Sequence, residues 1–166
     1  MINGHATPDR TKKFAERHTE IPQQNYKNVH KLTLSNVGIG TYLGNPDVAT
    51  DKLVEDAVKK SVLGGINVID TAINYRAQKA ERSVGNAISQ LIDNDDISRE
   101  EIFVSTKNGY VTNDGDIKED LMQYVMREYG KTGIVKEGDI SPGYHCMTLP
   151  YLNDQLERSL KNLGLA

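Results

Sequence analysis

The sequence predicts an α/β fold in which parallel strands alternate with helices, and three observations predict it. Apolar stretches rich in β-branched residues recur at residues 37–41, 66–70 and 102–107. Segments with apolar residues at helical spacing follow each of them. Glycine pairs or Asn-Asp runs close the helical segments, so strand, helix and turn return in the same order three times. Parallel strands joined this way need right-handed crossovers, which implies an α/β layer or a barrel.

Bulk properties narrow the function classes. With 166 residues, 37% hydrophobic and 26% charged, the chain suits one globular domain. A net charge of −3 gives no electrostatic case for nucleic acid or an anionic membrane surface, which favour clustered Lys and Arg. No apolar run approaches the roughly 18 residues of a membrane span, and Met1 to Arg17 lacks the apolar region of a secretory leader. The expectation is a cytoplasmic protein. Cys146 is the only cysteine, which excludes an intrachain disulfide or a thiolate cluster; it reads as a small packed side chain. No His or Cys spacing suggests a metal.

Residues 1–30 are polar and read as a loosely packed N-terminal extension, with a short helix from Pro8 to Arg17. Leu32 and Leu34 alternate with polar residues, and Val37-Gly38-Ile39-Gly40-Thr41 follows, so this region reads as a hairpin or a short strand leading into a longer one. Gly38-x-Gly40 is too short for a dinucleotide fingerprint; close packing is the better reading. Thr50 is the expected N-cap of a first helix carrying Leu53, Val54, Ala57, Val58, Ser61 and Val62, closed by Gly64-Gly65.

The second strand, Ile66 to Asp70, ends in a carboxylate, and Tyr75 follows five residues later. Loops at the carboxyl ends of parallel strands line the ligand-binding mouth of α/β folds, so an acid and a phenol there mark a candidate site. The alternative reading is a helix cap and a surface turn residue. A second helix carries Ala80, Val84, Ala87, Ile88 and Leu91 and dissolves at Asn94-Asp95-Asp96. A capping-box pattern, Ser98 to Glu101, precedes the third strand, Ile102 to Lys107, whose far end is again ionisable.

About 40 residues then interrupt the rhythm, too many for an ordinary loop, so residues 111–149 are expected to be an insertion with structure of its own. Ile117, Leu121, Tyr124, Val125 and Tyr129 suit one face of a helix closed by Gly130, while residues 131–148 look irregular. Such a helix would form a lid or packing element over a barrel mouth. Leu152, Leu156, Leu160 and Leu163 predict a final amphipathic helix ended by Gly164. A (β/α)₈ barrel needs eight strand–helix units and typically about 250 residues. Three are found here, and the place for a fourth strand is where the sequence stops.

With Asp70, Tyr75 and Lys107 aligned at successive strand ends, the chain resembles the N-terminal part of the aldo-keto reductase family. The matching text is Gly38 to Tyr42 (GIGTY), Asn67 to Tyr75 (NVIDTAINY), Glu81 to Gly85 (ERSVG), Arg99 to Lys107 (REEIFVSTK) and, more weakly, Leu156 to Gly164 (LERSLKNLG). The resemblance implies a TIM-barrel reductase that transfers hydride between NADPH and an aldehyde or ketone, using Asp, Tyr, Lys and His. It implies Tyr75 as the general acid, Lys107 as the ammonium beside it, and Asp70 as the partner that orients Lys107 and lies near the nicotinamide ribose. Gly40, Thr41 and Tyr42 match the loop that approaches the same end of the cofactor. The family histidine has no counterpart: His5, His18 and His30 lie outside the apolar strands, and His145 lies in the insertion.

The expected organisation is therefore an extension over residues 1–30 and a partial barrel over 31–166. The expected function is that of an N-terminal fragment of an NADP-dependent reductase acting on small carbonyl compounds and inactive alone. It would need the missing C-terminal half or self-association. The alternative expectation is a non-catalytic interaction module that buries its open sheet edges on a partner or a second copy.

Overall fold

The computed structural model describes residues 1–166. The expected α/β framework is present: α1 (Pro8–Arg17), β1 (Tyr26–Val29), β2 (Leu32–Ser35), β3 (Ile39–Gly40), α2 (Val48–Leu63), β4 (Val68–Asp70), α3 (Lys79–Asp93), β5 (Phe103–Ser105), α4 (Leu121–Val125) and α5 (Leu149–Leu163). Strands β3, β4 and β5 form one parallel sheet in that order, with Gly40 opposite Asp70 and Asp70 opposite Ser105. Strands β1 and β2 form a separate antiparallel hairpin. No helix is long and apolar enough to cross a membrane.

The N-terminal segment is not loosely packed. Phe14 and Ala15 of α1 and Tyr26 of β1 are buried in the main core, with Val58, Val62, Ile69, Val84, Ile88, Ile102 and Leu163. A polar average hid this, because α1 buries only a narrow face through Thr11, Phe14 and Ala15. The hairpin also extends upstream of the alternating leucines. Its first strand, Tyr-Lys-Asn-Val, buries only Tyr26, so it carries no period-2 apolar signal. His30 and Lys31 turn the hairpin with φ of 49° and 72°, the left-handed pair that suits a two-residue connection between twisted strands.

Asn67, just before β4, ties the hairpin to the sheet. Its buried side chain accepts from Ser35 N at 2.8 Å and donates to Thr33 O at 2.9 Å and Glu101 O at 3.3 Å. Helix α2 begins three residues earlier than Thr50 suggests. Asp47 is the N-cap and its side chain accepts from Thr50 N at 2.8 Å, a contact worth about 1 kcal/mol in such positions. Helix α3 follows its expected stripe, and Ala80, Val84, Ala87, Ile88 and Leu91 are all buried. Helices α3 and α5 touch at Gly85, where a Cβ would lie 2.7 Å from Asn162 O, so the contact requires glycine.

The insertion builds a second, smaller core from Val111, Tyr124, Val125, Tyr129, Val135 and Cys146, to which α5 adds Tyr151. Helix α4 is shorter than its apolar spacing suggests and continues as a π-helical turn, Met126–Gly130; Ile117 stays outside it and is exposed. The wider turn accompanies inward placement of both Tyr124 and Tyr129, whose rings meet edge to face at 5.9 Å. In α5 the leucine stripe is only partly the buried face: Leu163 is buried and Leu160 packs on the main core. Leu156 is half exposed, whereas Tyr151, Gln155, Ser159 and Leu163 are buried. Gln155 turns inward because its amide donates to Tyr129 OH at 3.2 Å, which satisfies part of a polar group that burial would otherwise penalise.

Candidate functional site

Short parallel strands place three side chains together at one end of the sheet. Asp70 is the last residue of β4, and Lys107 lies two residues beyond β5. The chains stay paired past the strand ends: Thr71 N donates to Ser105 O at 2.9 Å and Ile73 N donates to Lys107 O at 3.1 Å. That continued pairing fixes Lys107 against Asp70. Lys107 Nζ lies 2.7 and 2.8 Å from the two carboxylate oxygens and 3.0 Å from Thr71 O. The same ammonium stands 5.2 Å from the centroid of the Tyr75 ring.

From the other side, β3 delivers Gly40, Thr41 and Tyr42. Thr41 is buried and donates to Asp70 O from both its amide and its hydroxyl, each at 3.2 Å. Tyr42 meets Tyr75 edge to face, with ring centroids 5.0 Å apart. A Cβ placed on Gly40 would meet no atom within 4 Å, so the strand end faces open space where a ligand can approach. Residues Asp70, Tyr75, Lys107, Thr41 and Tyr42 are thus gathered in one place, with Gly40 at its open rim.

Electrostatically the cluster keeps Lys107 charged. Partial burial pulls its pKa down, but the hydrogen bonds and charge of Asp70, with a further contribution from Tyr75, more than offset this and hold it above the ordinary lysine value. The pair is not dry: the Lys107 and Asp70 side chains are 50% and 44% exposed. Chemically, the arrangement provides a phenol beside a fixed cation, at a strand end where an oxygen of a ligand could receive a proton.

His145 does not join this group. It pairs with Tyr110 in an isolated bridge, stacks edge to face on that ring at 5.0 Å, and bonds Gly143 O through Nδ1. The largest cavity, about 750 Å³, is also elsewhere. It lies between α3, α5 and the insertion, and all its lining residues, among them Arg82, Asp114, Glu157 and Lys161, are polar or charged. Neither Asp70, Tyr75 nor Lys107 lines it.

Sequence reasoning missed the residues that hold the cluster from behind. Glu81 is fully buried and accepts from Thr106 Oγ1 at 2.7 Å, next to Lys107. Arg76 is buried against Asp51, Asn45 O and Ser83. The available signal was a charged residue inside a helical apolar stripe, Glu81 beside Ala80 and Val84; for Arg76 no local signal exists, since its partner is 25 residues away.

Comparison with known proteins gives a consistent picture. The model of the aldo/keto reductase family matches residues 36–166. Among solved structures, an aldo-keto reductase from Bacillus halodurans in its holo form is similar with TM-score 0.52 and 21% identity, covering 85% of this chain and 37% of that one. An aldo/keto reductase from Klebsiella pneumoniae, in complex with NADP and acetate, is similar with TM-score 0.52 and 19% identity, covering 87% and 36%. A thermostable aldo-keto reductase in complex with the inhibitor epalrestat gives TM-score 0.52 and 21% identity, covering 84% and 39%. At these identities the likeness is one of fold, and the chain spans between 36% and 39% of the length of the three structures.

Proposed function

The chain belongs to the aldo/keto reductase family, and from that membership and the geometry at the sheet end we propose that Asp70, Tyr75 and Lys107 are the proton-delivering part of a carbonyl-reducing site. The observation that carries the proposal is the bidentate Asp70–Lys107 pair set beside the Tyr75 ring across neighbouring parallel strands. Tyr75 donates its phenolic proton to the oxygen of an aldehyde or ketone as negative charge develops there. Lys107 stabilises the phenolate left behind, and Asp70 holds Lys107 charged and aimed.

The open space at Gly40 and the half-exposed Asp70 carboxylate suit the nicotinamide-ribose end of NADPH. Gly40, Thr41, Tyr42 and Asp70 would hold that end. When bound, the cofactor supplies the hydride. The fit concerns that end alone. The exposure of Asp70 and Lys107 matters too, since water weakens each charge interaction and a reducing site must exclude it. The 166-residue chain alone is therefore expected to be inactive, with turnover arising when further barrel strands close over the cluster.

The test is to extend the chain with the later strands of the Klebsiella pneumoniae relative and follow carbonyl-dependent loss of NADPH absorbance. Turnover in the extended protein and none in the 166-residue chain is the expected pair of results. A folded extended protein without carbonyl-dependent loss would contradict the proposal.

One observation favours a second reading, a non-catalytic module. The outer edge of β5 has no neighbouring strand, and Phe103 is exposed on it. Self-association seen by size exclusion, with no NADPH fluorescence quenching, would support that reading; a well-behaved monomer would oppose it.

A further inference from the structure

The strongest strain in the backbone lies immediately after Tyr75. Arg76, Ala77 and Gln78 have φ of 52°, 52° and 72°, three consecutive left-handed residues with no glycine or asparagine among them. Each sets its Cβ against its own carbonyl, and such residues normally occur singly. A run of three persists only when its surroundings over-determine it.

The surroundings do so. Arg76 has a completely buried side chain whose guanidinium is bound to Asp51 of α2 and, at 3.5 Å, to Ser83 of α3, while Nε donates to Asn45 O at 3.0 Å. Gln78 is buried and donates through Nε2 to Asn113 O and to Tyr124 OH, both at 3.2 Å; its oxygen accepts from Asn162 Nδ2 at 3.4 Å. Between them, Ala77 O accepts from Gly115 N at 2.9 Å. The β3–α2 loop, α2, α3, the insertion and α5 thus converge on three residues. The main chain of Tyr75 is tied into the same turn, through Ala80 N to Tyr75 O at 3.3 Å.

We propose that Arg76-Ala77-Gln78 is a strained presenting turn, in which Arg76 and Gln78 are positioning residues that aim the Tyr75 ring at Lys107 and couple that aim to the insertion through Tyr124. Relaxing any of the three to ordinary helical φ swings the chain that carries Tyr75, because a change of more than 100° at the next residue redirects the segment before it. A fold selected for stability alone would carry glycine at position 77, where the partly buried alanine methyl gains little. The consequence for catalysis rests on reading Tyr75 as the proton donor; the placement itself does not.

The test uses the 166-residue chain with Ala77→Gly, Gln78→Ala and Tyr124→Phe. Two NMR signals report the aim of Tyr75: the ring-to-ring NOE between Tyr42 and Tyr75, and the ring-current shift that Tyr75 imposes on the Lys107 ε-methylene. Ala77→Gly is expected to raise the melting temperature by about 1–3 °C and to leave both signals in place, because glycine takes the same positive φ without strain. Gln78→Ala should lower the melting temperature and move both signals, and Tyr124→Phe should move the Lys107 signal with the fold intact. Unchanged NOE and Lys107 shift in folded Gln78→Ala and Tyr124→Phe would overturn the proposal. Because neither signal requires reduction, an extended protein that fails to reduce carbonyls would remove the reductase reading and leave the placement standing.

Discussion

Glu81 and Thr106 form a part-buried hydrogen bond of 2.7 Å that ties α3 to the residue next to Lys107. The second Glu81 oxygen accepts from Asn162 Nδ2 at 2.9 Å, so one fully buried carboxylate links α3, the β5 end and α5. Both of its neighbours donate to it.

Glu81→Leu should therefore leave Thr106 Oγ1 and Asn162 Nδ2 without their acceptor. A loss of about 1–3 kcal/mol is expected in urea unfolding. Thr106→Val removes one donor instead and should cost less, because the carboxylate keeps Asn162. An equal loss in the two variants would mean the Thr106 contact carries the whole effect.

Asn67 gives the second prediction. Its side chain serves Ser35 N, Thr33 O and Glu101 O with full burial. Asn67→Leu keeps the size and deletes all three bonds, so about 2–4 kcal/mol should be lost, with hydrogen exchange accelerating first at the amide of Ser35. Exchange there at the wild-type rate would show that the hairpin is held by other contacts.

The third prediction concerns pH. The folded pKa of Lys107 is raised above 10.5 although burial opposes this, because Asp70 and Tyr75 favour the ammonium. The stability it contributes is fully present below about pH 10.5 and is lost as pH rises through the folded value. The difference in unfolding free energy between the wild type and Lys107→Met should be flat at neutral pH and shrink on the alkaline side. It should also be small and salt-sensitive, since the pair is about half exposed. A difference that persists unchanged into strong alkali would show that packing, and not charge, is what the methionine removes.

The residues legible in the sequence are those whose role is local to a strand end. Asp70 and Lys107 close apolar runs, and Tyr75 follows in the expected loop, so pattern and resemblance together locate them. The supports were hidden for physical reasons. Nothing in Arg-Ala-Gln announces positive φ, because the conformation is imposed by partners as remote as Asp51 and Asn162. In α5 Leu163 is buried and Leu160 packs on the main core, yet Leu156 is exposed and tyrosine, glutamine and serine share the interior, where the second core supplies Tyr129 to Gln155. Likewise Tyr26 anchors a strand that hydrophobic alternation cannot reveal, because a single buried residue has no period.

The role of Tyr75 as proton donor is tested by the rate of carbonyl reduction by Tyr75→Phe in the extended protein, measured beside its NADPH affinity. Phenylalanine keeps the ring that meets Tyr42 and Lys107 and removes only the proton to be donated. Turnover is expected to fall by about 10²–10⁴-fold with NADPH affinity nearly unchanged. Turnover within a few-fold of the parent protein would contradict that role.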